Sequence, residues 1–119
     1  MKREFVYIDH PNTIDYIIMA DGRVPSLASV TKMALYLGQG RIVDSDILPT
    51  AFDWTRTVTA EEAIIPSIAA RGIKAGDPKL VLALGYAGIP AGKYTAKLLI
   101  YDLDHVDGLV WGKIDLAVE

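Results

Sequence analysis

From Lys79 to Glu119 the chain alternates apolar residues with others at a period of two, in three runs broken only by turn residues. Leu80, Leu82 and Leu84 mark the first run, and Tyr94, Ala96, Leu98 and Ile100 the second. Val110, Gly112, Ile114, Leu116 and Val118 mark the third. Successive side chains of a strand point to opposite faces, so this pattern predicts an antiparallel meander with one face buried and forbids a helix here. In that register Trp111, between Leu109 and Lys113, faces away from Val110, Ile114 and Leu116.

The rest of the chain carries the same signature. Glu4 to Asp9 reads as a short strand closed by His10-Pro11-Asn12, and Thr13 to Ala20 as a second with Ile14, Tyr16 and Ile18 on one face. Asp21-Gly22 is a turn signal, because glycine accepts the positive φ of a tight reversal. Val30 to Leu37 follows with Met33, Leu35 and Leu37 inward, and Gly38-Gln39-Gly40 turns it into Arg41 to Asp44. Asp46 to Pro49 is a loop, and Ala51 to Thr55 a brief strand. Turn signals recur about every ten residues, the spacing of a β-sandwich or barrel. Thr59 to Gly76 is the least regular stretch. Thr59-Ala60-Glu61-Glu62 has the form of a helix capping box, yet Pro66 would break a helix interior. Either a short helix ends before Pro66 and restarts after it, or the segment is irregular edge strand; mostly non-helical structure with one short helical turn is expected.

With 119 residues the chain suits a single domain, 1–119, large enough to bury a stable core without staples. It has no cysteine, which excludes disulfides, thiolate metal sites and cysteine nucleophiles. A hydrophobic content of 51% and a charged content of 23% are those of a folded globular chain. A net charge of −3 argues against a phosphate-binding surface, hence no nucleic-acid partner. Lys2 and Arg3 lead into no apolar core, so no signal peptide is expected, and no apolar run is long enough for a membrane helix. A soluble protein without a membrane partner is the expectation.

Several patterns imitate active sites. Gly88 to Thr95 resembles a phosphate-binding loop, but Ala87 and Tyr94 stand where glycine and a hydroxyl are required, and a strand follows where a helix is needed. Asp102, Asp104 and Asp107, with Gly108, suggest a calcium loop. Lys113 occupies the twelfth position where a further acid belongs, so a solvated hairpin turn is the favoured reading and no metal is assigned. His10 and His105 each lie beside turn residues, and Ser26, Ser29, Ser45 and Ser67 stand in no nucleophile elbow. No catalytic residue and no cofactor are assigned. Phe52, Trp54, Tyr86, Tyr94, Tyr101 and Trp111 could stack on a sugar, but aromatics in strands more often fill cores or edges. Trp111 on an outer face would mark a protein interface, and it is the candidate interface residue.

Val30 to Gly38, Val43 to Asp46, Ala51 to Trp54, Leu80 to Gly85, Gly88 to Tyr94, Leu99 to Asp102 and Gly108 to Gly112 together resemble small structural proteins of tailed-phage virions. The run Pro90-Ala91-Gly92-Lys93-Tyr94 leading into a strand is similar to the Ig-like N-terminal domain of phage upper-baseplate proteins. The resemblance implies an all-β, antiparallel Ig-like β-sandwich of about seven or eight strands, with at most one short helical turn around 60–70. It also implies a non-catalytic module made in the host cytoplasm and built into the virion. There it would dock on other phage structural proteins and copies of itself, in the tail, baseplate or fibre attachment, or as capsid decoration. The alternative is a sandwich module that binds surface carbohydrate or calcium.

Overall fold

In a computed structural model, described for residues 3–19 and 22–119, eight strands form two sheets. The strands are β1 (Arg3–Val6), β2 (Ile14–Tyr16), β3 (Lys32–Gly38), β4 (Arg41–Asp44), β5 (Phe52–Thr57), β6 (Pro78–Leu82), β7 (Gly92–Tyr101) and β8 (Leu109–Val118). A five-stranded sheet runs β1-β8-β7-β3-β4 and a three-stranded sheet β2-β6-β5. With β2 to β8 taken as strands B to G and β4 as the added C′, these are the two sheets of an Ig-like sandwich, and the expected all-β fold class stands. Met1, Lys2, Ala20 and Asp21 lie outside the described residues; Ala20 ends the strand expected over Thr13 to Ala20, and Asp21 begins the turn after it.

The core lies between the sheets. Met33, Leu35, Ala96, Leu98, Ile114 and Leu116 come from the larger sheet and Ile14, Phe52, Leu80 and Leu82 from the smaller, all in one buried cluster. The alternation that predicted these faces holds for β3, β6 and β7. Gly38, Gln39 and Gly40 turn β3 into β4 with φ of 93°, 56° and 74°, a left-handed run that glycine at both ends makes possible.

The corner before β7 explains the Pro90-to-Tyr94 motif. Tyr94 near the start of that strand donates its hydroxyl hydrogen to the Pro90 carbonyl at 2.8 Å. Two residues on, Ala96 is fully buried. A tyrosine at this corner, bonded back to the backbone just upstream, is the tyrosine corner of Ig-like sandwiches. Ala96 stands where many of them carry a cysteine, so here hydrophobic packing alone joins the sheets at this point.

Four expectations are corrected. The last third is no single meander, because β6 pairs with β2 and β5 while β7 and β8 form a hairpin in the other sheet. Alternation reports which face is buried and is blind to which strand lies alongside. The sheets are also not wholly antiparallel, since β1 runs parallel to β8 at the sheet's edge. The whole domain separates these two strands in sequence, so no hairpin imposes a direction. The third correction concerns Trp111. The β7–β8 register shifts between Leu98 and Leu99, pairing Leu98 with Gly112 and Leu99 with Val110. Trp111 is the extra residue of that bulge. The phase of β8 therefore reverses: Trp111 packs half-buried against the core, and Val110 is 55% exposed on the outside.

The fourth concerns the irregular stretch, which contains two helical turns, α1 (Ala60–Ala63) and α2 (Pro66–Ala69). Thr59 Oγ1 accepts from the Glu62 amide at 3.1 Å, and Glu62 Oε1 accepts from the Thr59 amide at 3.0 Å, completing the capping box. Pro66 opens the second turn, where its missing N–H costs nothing.

Candidate interaction surface

The β7–β8 hairpin places Asp102 to Gly108 at one tip of the sandwich. Asp102 Oδ1 accepts from the amides of Asp104 at 3.0 Å and His105 at 2.8 Å, and lies 2.9 Å from His105 Nδ1. Desolvation works against the Asp102 charge, but the bonds from the His105 ring and the amides outweigh it and hold the carboxyl below its ordinary range. Gly108, at φ 85°, lies against the Tyr101 ring, which a β-carbon there would approach to 2.8 Å. The aspartate run is thus a closed turn. Asp102, Asp104 and Asp107 do not converge: among the described residues no group of three acidic or histidine side chains is placed to hold a metal. Leu103 and Val106 project from this tip, 84% and 74% exposed.

The other imitations of active sites have structural roles. Gly88 to Thr95 is the corner loop running into β7. Ser45 is buried, its Oγ accepting from the Met33 amide at 3.1 Å while its own amide donates to the Met33 carbonyl at 2.9 Å. His10 closes a turn by donating its amide to the Tyr7 carbonyl at 3.1 Å. The six aromatics form no common platform. Phe52 belongs to the core, Trp54, Tyr94 and Trp111 pack half-buried against it, and Lys32 Nζ sits 4.9 Å from the Tyr101 ring centre. Tyr86 alone of the six is largely exposed.

The outer face of the five-stranded sheet is more suggestive. Cross-strand partners set Lys113, Lys97, Tyr36 and Ile42 in one row over β8, β7, β3 and β4. The next row toward the tip holds Val110, Leu99, Ala34 and Asp44. Ile42 and Val110 are each 55% exposed, and Lys97 and Lys113 are exposed too. Near the other end of the sheet, Phe5 and Tyr7 stack at 6.4 Å between ring centres and are also exposed. Among the described residues strand β4 is paired on one side only, by β3, and so is a sheet edge. Open edges and apolar outer faces are the usual points of strand addition and protein docking.

One buried electrostatic feature was not legible in the sequence. Lys79 on β6, with a side chain 11% exposed, reaches Asp15 Oδ2 on β2 and both oxygens of Glu62 on α1, each at 2.9 Å. The Lys79 bond, with that from the Thr59 amide, pulls the Glu62 carboxyl down to about 2. Burial opposes the Lys79 ammonium, but its bonds to Glu62 and Asp15 outweigh that and raise its pKa. The Thr59–Glu62 spacing signalled the cap; nothing signalled a cation 17 residues further on. Beside it lies an open cleft of about 610 Å³, lined by Glu4, Tyr16, Glu62, Arg71 and Lys113 among others. The charges lining it are mixed, and the network that borders it fastens α1 to the smaller sheet. No protein-family model, curated protein or solved structure matches the chain.

Proposed function

We propose that this chain is a non-catalytic structural module that docks on other proteins of a tailed-phage particle, in the tail, baseplate or fibre attachment or as a capsid decoration. The observation that carries this reading is where the exposed apolar side chains lie. Leu103 and Val106 crown a projecting hairpin tip, and Ile42 and Val110 are exposed on the outer sheet face, with half-buried Leu99 and Tyr36 between them. Display of this kind suits attachment to a flat or grooved protein surface, where repetition in a particle multiplies weak contacts by avidity. Of the residues whose types could have served catalysis or metal binding, Asp102, Glu62 and Ser45 are engaged in turn, cap and strand bonds. The tyrosine corner falls on the motif that carries the phage resemblance.

The test is mass spectrometry of density-gradient-purified particles from the cells that make the protein. Stoichiometric presence through repeated gradients is expected, and absence from the particles overturns the reading. Thermal melts with calcium and a glycan panel test the alternative. A ligand that binds only the folded form must raise the melting temperature, and none is expected to do so.

A further inference from the structure

Lys97 and Lys113 are direct cross-strand partners, both exposed on the outer face of the five-stranded sheet. Like charges directly opposed in a ladder are destabilising. Among the described residues neither has an ion-pair partner, whereas Lys32 pairs with Asp44 and Asp46, and Lys79 with Asp15 and Glu62. Tyr36 and Ile42 extend their row, and Leu99 and Val110 lie in the next. The face therefore offers two exposed ammonium groups without an ion pair, bordered toward the tip by apolar side chains and on the other side by Asp115.

The hairpin tip offers the complement. Asp102 is committed to His105 and the turn amides, but Asp104 and Asp107 are exposed and, among the described residues, form no ion pair. Each directly follows an exposed apolar residue, Leu103 and Val106, so two carboxylates and two apolar side chains are exposed together in the tip. A tip cannot satisfy the lysines of its own chain. Lys97 lies five residues back along β7 from Asp102, roughly 17 Å at the rise of a strand.

We infer that the hairpin tip of one copy docks on the outer sheet face of a second copy, Asp104 and Asp107 meeting Lys97 and Lys113 while Leu103 and Val106 cover Leu99, Val110, Tyr36 and Ile42. This rests on the reading of the chain as an interaction module and names one partner for it. The two patches differ, so the contact is head-to-tail and propagates into a ring or a filament. Its electrostatic part weakens as added salt shortens the screening length.

The experiment is sedimentation of the full chain, at low and high salt and at concentrations up to about 1 mM, where contacts with a Kd in the millimolar range become visible. Three variants are compared with wild type: Lys97→Glu with Lys113→Glu, Asp104→Lys with Asp107→Lys, and all four changes together. Wild type is expected to form salt-sensitive assemblies. Each double variant alone should associate at least tenfold more weakly, about 1.4 kcal/mol. An equimolar mixture of the two double variants, and the fourfold variant alone, should recover association. Recovery on mixing also shows that both double variants are folded. To separate folding from docking, Lys113→Gln should weaken association while leaving the melting temperature equal or higher. A monomeric wild type, undiminished association of either double variant, or a mixture and fourfold variant that both stay monomeric each overturns the inference. A monomeric chain found in purified particles overturns this contact and leaves the docking reading intact; absence from particles overturns that reading whatever the sedimentation shows.

Discussion

Replacing Lys79 by methionine isolates the ionic network whose cation is the more buried of the two bridging lysines, Lys79 at 11% against Lys32 at 29%. Methionine keeps the unbranched stem that packs between β2 and α1, and removes the ammonium that bonds Asp15 and Glu62 at 2.9 Å. The depression of Glu62 from 4.5 to about 2 sets an upper bound of about 3 kcal/mol on what holds its charge. Part of that belongs to the Thr59 amide, and solvent reaches both carboxylates, so about 1.5 kcal/mol is assigned to Lys79. Over 119 residues the unfolding entropy is about 250 cal/mol/K, so the melting temperature should fall by about 6 °C at pH 7.

The effect has a definite pH dependence. The folded Glu62 pKa lies below the unfolded one, so its contribution is complete above about 4.5 and fades as pH falls toward 2. Lys79 is shifted upward from 10.5, so its contribution is intact at every pH below that value. The loss caused by Lys79→Met should therefore be constant from about pH 5 to 10 and shrink between about pH 4.5 and 2. Urea titrations followed by fluorescence of Trp54 and Trp111, in a cycle with Glu62→Gln, measure both the loss and the coupling. A loss below about 0.5 kcal/mol at pH 7, or one equally large near pH 2, would refute the reasoning.

Other substitutions probe the fold around the proposed surface. Tyr94→Phe removes the corner bond to Pro90 and should cost about 1 kcal/mol in urea titration, without changing the slope. Ser45→Ala leaves the buried Met33 amide without its acceptor and should cost about 1–2 kcal/mol by the same measurement. A β-carbon at Gly112 would collide with the Tyr16 hydroxyl oxygen, so Gly112→Ala should destabilise by about 1–3 kcal/mol. Adding Tyr16→Phe should recover much of that loss, because the next ring atom is 3.4 Å away; an additive double variant would show that the hydroxyl is not the obstacle.

Much of the fold was legible, because period two reports burial directly. The inward residues of β3, β6 and β7, the glycine turn after β3 and the capping box all follow from local chemistry. What escaped was non-local or one residue in size. The bulge at Trp111 is hidden in a run where Leu109, Val110 and Trp111 are all apolar, so the sequence carries no mark of the phase reversal. The sheet to which β6 belongs and the direction of β1 depend on the connections between strands, to which a period of two is indifferent. At the candidate surface, the aspartate turn was readable from Asp102 and Gly108. The pairing of Lys97 with Lys113 was not, since it depends on the register beyond the bulge. Lys79 joins residues 17 and 64 positions away, which only the folded chain brings together.

The central claim is that this sandwich is held against neighbouring proteins through its outer sheet face and hairpin tip. Lysine-directed cross-linking of intact particles, read by mass spectrometry, tests it most directly. The account predicts cross-links from Lys97 and Lys113 to neighbouring protein copies, lost when particles are dissociated in high salt before the reagent is added. Particles that contain no copy of the chain, or a chain whose Lys97 and Lys113 link only within the same molecule, would contradict it.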